Sequence, residues 1–236
     1  MSILVTGSTG TVGRQVVNGL VARHASVHAL TRNPDKASFP EGVRAVAGEM
    51  TDVASMRAAL KGVDTLFLLN AVAADEVTQA LITLTLAREA GIQRIVYFSV
   101  QNSDAFTDVP HFTGKYAVER AIEQLNLPAT VLRPSYFMQN DAMMKDALQH
   151  GVYPMPLGDL GVPMVDTRDI AGIAVAALLR RKQSAAPLPR EVIKLVGPDT
   201  ISGNAAAAIW SEVLAKPVAY GGNDLDAFER NMASRA

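Results

Sequence analysis

Apolar positions along this chain alternate between two patterns. Continuous apolar runs at Ile3 to Thr6, Ser26 to Thr31, Val43 to Gly48, Asp64 to Asn70, Arg94 to Val100 and Ala129 to Arg133 predict strands buried on both faces. Between them the spacing is helical. Thr11 to Arg23 sets Val12, Val16, Val17, Leu20 and Val21 on one stripe, Val53 to Lys61 is stopped by Gly62, and Asp75 to Ala90 closes at Gly91. Pro110 to Asn126 carries Tyr116, Ala117, Ile122 and Leu125 among charges before Pro128 breaks it. The alternation predicts an α/β fold: a Rossmann doubly wound parallel sheet whose right-handed crossovers bring all strand C-termini to one edge.

After the sixth strand the alternation loosens, which predicts a small C-terminal substrate-binding annex. Residues 1–134 form the expected cofactor core and 135–236 mostly the annex, with 166–196 returning to the core as a helix and a seventh strand, Glu191 to Val196. Ser135 to His150 reads as helical, Gly151 to Pro163 as a Pro/Gly-punctuated loop, and Ser202 to Ala215 as an Ala-rich helix containing the only tryptophan, Trp210. Asp166 is placed to cap the returning helix, with Asp169 in its first turn.

The first strand runs into three glycines at spacing three, Gly7, Gly10 and Gly13, inside Gly7-Ser8-Thr9-Gly10-Thr11-Val12-Gly13. A strand-to-helix turn of this kind offers backbone N–H groups to a pyrophosphate, because glycine tolerates the turn's dihedrals and admits the ligand where a Cβ would block it. The spacing is not the common G-x-G-x-x-G, so the strand before it and the helix after it carry the argument; an ordinary tight turn is the alternative.

An NAD-specific fold ends its second strand in an acid that holds the ribose 2′-hydroxyl. Here Leu30-Thr31-Arg32-Asn33 is followed by Lys36, so Arg32 and Lys36 point to a 2′-phosphate and hence NADP(H), unless both are solvated loop cations. Glu49 and Met50 follow the third strand and are expected to border the adenine, whereas Asp52 suits the N-cap of the next helix. The nicotinamide end falls to Leu69, Asn70, Ala71, Ser99 and Val100 beyond the fourth and fifth strands, where Asn70 and Ser99 suit loop hydrogen bonding as well as cofactor contacts.

Composition narrows the classes. Lys plus Arg total 22 against 23 acids, a net charge of −1, so no nucleic acid is expected as a partner. Without cysteine, disulfides and thiolate chemistry are excluded, and the histidines show no ligand spacing, so no metal is expected. A strand beginning at residue 3 leaves no room for a signal peptide and no apolar run reaches bilayer length, giving an expectation of cytoplasmic residence away from membranes. A homodimer stays open.

Several stretches together resemble the NmrA-like branch of the atypical short-chain dehydrogenase/reductases: Val5-Thr-Gly-Ser-Thr-Gly-Thr-Val-Gly13, Leu30-Thr-Arg-Asn-Pro-Asp-Lys36, Arg94-Ile-Val-Tyr-Phe-Ser99, His111-Phe-Thr-Gly-Lys115, Thr130-Val-Leu-Arg-Pro134 with Phe137 and Asn140, and Asp166-Thr-Arg-Asp-Ile170. The resemblance implies NADPH-dependent reduction of quinones or dyes, or else a non-catalytic sensor of nicotinamide cofactors. It places Lys115 where relatives hold the nicotinamide ribose or assist proton transfer, and Ser99 where the typical enzymes have their serine. His111 stands where the usual tyrosine is missing, one helical turn before Lys115, and is either a proton donor or the start of the helix after Pro110. Relatives usually run on beyond the position of Ala236.

The acceptor pocket is read from Tyr136, Phe137 and Met138 after the sixth strand and Met155 and Leu157 in the annex, an apolar, adaptable lining suited to a flat aromatic or quinone-like small molecule. Three functions compete: an NADPH-dependent reductase of conjugated acceptors, an NADP(H) sensor, and a sugar-nucleotide epimerase relative, the last opposed by the absent Tyr-x-x-x-Lys pair.

Overall fold

The computed structural model describes residues 2–233; Met1 and the end of the expected annex, 234–236, lie outside the described residues. In chain order the elements are β1 (Ser2–Val5), α1 (Thr11–Val21), β2 (Val27–Thr31), β3 (Arg44–Ala47), α2 (Val53–Ala59), β4 (Val63–Leu68), α3 (Glu76–Glu89), β5 (Ile95–Phe98), α4 (Pro110–Gln124), β6 (Ala129–Pro134), α5 (Lys145–Gln149), β7 (Val152–Tyr153), α6 (Thr167–Gln183), β8 (Glu191–Leu195), α7 (Gly203–Leu214), β9 (Ala219–Tyr220) and α8 (Leu225–Ala233). They divide into two units, Met1–Pro134 with Thr167–Leu195 and Ser135–Asp166 with Val196–Ala236.

The first unit is a seven-stranded sheet in the order β3-β2-β1-β4-β5-β6-β8, and every neighbouring pair is parallel. Ile3, Leu4, Leu66, Phe67, Leu68, Ile95 and Tyr97 are fully buried because helices cover both faces, which is why the strands read as continuous apolar runs. The strand order reverses between β1 and β4, so the crevice beyond their C-terminal ends is where such a sheet takes a ligand. Helix ends follow local chemistry. Gly91 sits at φ +73° after α3 and donates to Arg88 O while Ile92 N donates to Ala87 O, a left-handed stop that satisfies the last turn's carbonyls. On α6, Arg181 is 1% exposed, and its guanidinium donates to Thr130 Oγ1 and to the carbonyls of Pro128, Leu188 and Pro189, tying the connector before β8 to the sheet.

The second unit pairs β7 with β9 in parallel and packs Met144, Leu148, Tyr153, Ala206, Ala207 and Val218 into a small core. Here one expectation is corrected. Instead of a helix over 135–150, the chain forms a 3-10 stretch, Met138–Met144, followed by the five-residue α5. The cause is tertiary: Asp141 is drawn inward, accepting from Tyr153 Oη at 3.2 Å and Trp210 Nε1 at 2.9 Å, while Met138 N donates to Val165 O. Among the described residues, no helix is long and apolar enough to cross a membrane.

Candidate functional site

The glycine turn after β1 is built against the end of β4. Thr6 Oγ1 donates to Leu69 O at 2.6 Å and accepts from Leu69 N at 2.8 Å, joining the two loops that flank the reversal of strand order. Gly7 has φ +59°, and a Cβ there would lie 2.1 Å from Leu69 Cδ2. Gly10 differs. Its φ of −79° and ψ of 174° suit any residue, and a Cβ would meet nothing nearer than Gly7 O at 3.4 Å. Ser8 turns inward to donate to Leu30 O, Val12 enters the core, and Thr9, Gly10 and Thr11 are left exposed at the N-terminus of α1. Gly10 N donates to Gly7 O at 3.1 Å, so it is the first-turn N–H groups of α1, at the positive end of the helix, that suit an anion.

A second feature of the same unit lies beyond β2 and β3. Arg32, Ala47, Gly48, Glu49, Asp52 and Ser55 line a cleft of about 540 Å³. Asp52 caps α2, accepting from Ser55 N at 2.6 Å, and that hydrogen bond holds its carboxyl below the usual aspartate value. Glu49 Oε1 accepts from Met50 N. Two of the residues expected here are placed otherwise. Met50 turns its side chain into the core among Leu30, Met56 and Leu60, because the chain must enter α2 on its apolar face, and Lys36 is exposed at the end of a 3-10 turn, Pro34–Lys36, outside the cleft lining.

Past β4 the chain reaches Asn70, which is 7% exposed: its Nδ2 donates to Glu76 O at 2.9 Å and its Oδ1 accepts from Lys115 Nζ at 3.3 Å, leaving a second N–H and a second lone pair on the amide. Ala71 beside it is exposed. Lys115 is buried in α4, 3.3 Å from Glu76 Oε2, with its ammonium 5.7 Å from the centre of the Tyr97 ring. Burial pushes the Lys115 amine below the usual lysine value and the Glu76 carboxylate pulls it partly back. His111 Nδ1 lies 2.8 Å from Glu76 Oε1. The structure therefore joins Asn70, His111 and Lys115, all expected from the sequence, through Glu76, which sequence reasoning missed. An acid opening a helix usually signals no more than a favourable helix dipole.

Ser99 follows β5 with its hydroxyl 2.5 Å from Glu119 Oε1, and Ser103 Oγ donates to the same oxygen at 3.1 Å. Glu119 is paired through both oxygens with the buried Arg133, which also reaches Asp104. The Ser99 proton thus faces a buried ion pair, and Val100 continues half-buried into the following loop.

In the second unit, Tyr136 has a buried hydroxyl and its phenol is pushed up to about 12, chiefly by burial. Phe137 forms an isolated bridge with Val165, Met138 is 41% exposed, and Met155 and Leu157 pack against the unit's own core.

The chain as a whole is similar to known proteins. The NAD(P)H azoreductase of Xenophilus azovorans is 33% identical over 223 residues, spanning 92% of this chain and 76% of that protein. Among solved structures, the triphenylmethane reductase of a Citrobacter species superposes with a TM-score of 0.88 at 24% identity, covering 100% of this chain and 83% of that one. An NADPH-dependent quinone oxidoreductase of Escherichia coli, solved with NADPH, gives 0.82 at 25% identity, covering 92% and 77%. The model of the NmrA-like family matches residues 1–233, and with that extent of agreement the chain belongs to the NmrA-like family.

Proposed function

We propose that this protein is an NADPH-dependent reductase that passes hydride to a quinone, an azo compound or another conjugated aromatic acceptor. The observation that carries the reading is Gly10: neither its backbone angles nor its neighbours require glycine, so the missing side chain leaves room for a ligand at the N-terminus of α1. The backbone of Gly7 to Gly13 would hold the pyrophosphate, Arg32 the 2′-phosphate, and Asn70 with Lys115 the ribose and nicotinamide end. When bound, the nicotinamide supplies the hydride, and the protein supplies orientation and a proton.

The kinship with an NAD(P)H azoreductase and an NADPH-dependent quinone oxidoreductase supports both the cofactor and the acceptor class. The buried amine of Lys115 with its acid and imidazole partners favours a reductase over a sensor although the usual tyrosine is missing. The test is anaerobic NADPH oxidation against quinones, azo dyes and triphenylmethane dyes, beside a binding titration. Acceptor-dependent oxidation is expected. Tight NADPH binding with no oxidation above background for any acceptor would establish the sensor instead.

A further inference from the structure

We propose that Glu76 is a positioning residue that links the partly exposed His111 to the buried Lys115, so that the three side chains form a proton route to the reduced acceptor. The proposal rests on the reductase reading and on Lys115 as the group that protonates the acceptor.

Three observations carry it. The first is a gradient of exposure: the side chain of His111 is 28% exposed, that of Glu76 8% and that of Lys115 4%, so the route begins at water and ends inside. The second is the division of the carboxylate. His111 Nδ1 takes Oε1 at 2.8 Å, whereas Oε2 is buried with no hydrogen bond and has Lys115 Nζ at 3.3 Å, so each oxygen faces one end of the route. The third is the helical spacing. His111 and Lys115 are four residues apart on α4, and Gly114 between them leaves space, since a Cβ there would lie 3.3 Å from Glu76 Oε1 and 3.1 Å from Val77 Cγ2.

Stability alone is a poor reason for this cluster, because a buried ion pair is often no better than apolar side chains of similar volume. Among the described residues, the titratable and polar groups facing Glu76 and Lys115 come from three elements. They are His111 and Lys115 from α4, the neutral Asn70 after β4, and Tyr97 from β5, whose phenol is pushed far up by burial and by the charges of Glu119 and Glu76. Among these, the imidazole is the side chain type that exchanges protons near neutrality.

The proton balance is direct. Hydride addition from the nicotinamide leaves an anion on the acceptor; that anion takes a proton as an Nζ–H bond of the Lys115 ammonium breaks, leaving a neutral amine. The amine is restored from the Glu76 carboxyl. Glu76 is in turn protonated by His111 Nδ1–H, its carboxyl rotating to present the proton to Lys115, and His111 regains its proton from water. A quinone yields a weakly basic hydroquinone anion that water can protonate, whereas an azo bond yields a strongly basic nitrogen anion that needs a positioned acid.

The test is Glu76→Gln, read in two ways. In the chain without cofactor, nuclear magnetic resonance should show the ring signals of His111 displaced as its Nδ1 partner changes from a carboxylate to an amide. In turnover, the azo-to-quinone rate ratio should fall about tenfold or more, with NADPH affinity and acceptor KM changing by less than about threefold. His111→Ala should lower the same ratio, with added imidazole restoring it, and this variant carries the test if Glu76→Gln does not fold. An unchanged ratio in both variants, with Lys115→Ala impaired, overturns the relay and leaves Lys115 in place. Lys115→Ala as active as wild type on both acceptors overturns the underlying assignment together with the relay.

Discussion

Gly13 stands directly against Gly7: a Cβ on Gly13 would come within 2.1 Å of the Gly7 carbonyl oxygen and 2.7 Å of its carbonyl carbon. The first helix is thereby pressed onto the turn that precedes it, and the three glycines separate by cause. Gly7 and Gly13 answer to the chain's own backbone and to Leu69, whereas Gly10 answers to nothing inside the protein. Gly13→Ala should therefore destabilise the fold by about 2–4 kcal/mol, lowering Tm by roughly 5–10 °C. Gly10→Val should keep the wild-type Tm within about 2 °C and lose NADPH binding. Thermal denaturation beside a cofactor titration checks both, and a folded Gly10→Val chain with full affinity would falsify the placement of the pyrophosphate.

The buried pair of Glu119 and Arg133 predicts a different kind of failure. Glu119 is 2% exposed and Arg133 8%, and the remaining partner of the guanidinium, Asp104, is a largely solvent-facing acid. Glu119→Leu should cost about 3–5 kcal/mol, because it strands a buried cation and also removes the acceptor of Ser99 and Ser103. The double variant Glu119→Leu with Arg133→Leu should recover most of that loss. Denaturant midpoints around the mutant cycle measure the coupling, and additive losses would contradict it.

Legibility in the sequence follows the range of the forces. The parallel sheet declares itself because strands buried on both faces must be apolar throughout, and the predicted runs differ from the observed strands by only a residue or two at each end. The turn at Gly91 and the cap at Asp52 are local chemistry and are equally readable. What escapes is held by distant partners. The strands β7 and β9 are two residues each and exist only by pairing with each other. Asp141 abolishes an expected helix through Tyr153 and Trp210. Glu76 reads as an ordinary helix-opening acid until α4 is laid beside α3.

Asp141 also gives the molecule a pH signature. Burial raises its carboxyl above the usual 3.8, against the lowering effect of the Trp210 and Tyr153 hydrogen bonds. The folded state therefore holds this proton more tightly than the unfolded chain, so its contribution to stability is complete below 3.8 and is lost as pH rises through the folded value. Subtracting the unfolding free energy of Asp141→Asn from that of wild type should give a difference that declines from about pH 4 upward and then levels. Urea titrations can follow it by the fluorescence of Trp210, the only tryptophan. A difference that grows with pH would reverse the assignment.

With the 2′-phosphate in its proposed place beside Arg32, cofactor preference should follow the balance of charge in the cleft beyond β2 and β3. Among the described residues that line it, Arg32 is the cation and Glu49 and Asp52 are acids, and a 2′-phosphate there would feel all three. A charge-assisted hydrogen bond contributes about 1.5–3 kcal/mol, so NADPH should bind roughly ten- to a hundredfold more tightly than NADH. Arg32→Ala should remove most of that margin with little effect on NADH. The acids act in the opposite sense. Asp52→Asn keeps an oxygen for the Ser55 N–H while deleting an anion, so it should tighten NADPH alone, by about two- to fivefold at low salt and less as salt screens the cleft. Titrations of both nucleotides against the three chains decide the matter: equal affinities in wild type would remove the 2′-phosphate from Arg32, and a gain for NADH equal to that for NADPH in Asp52→Asn would remove it from the cleft.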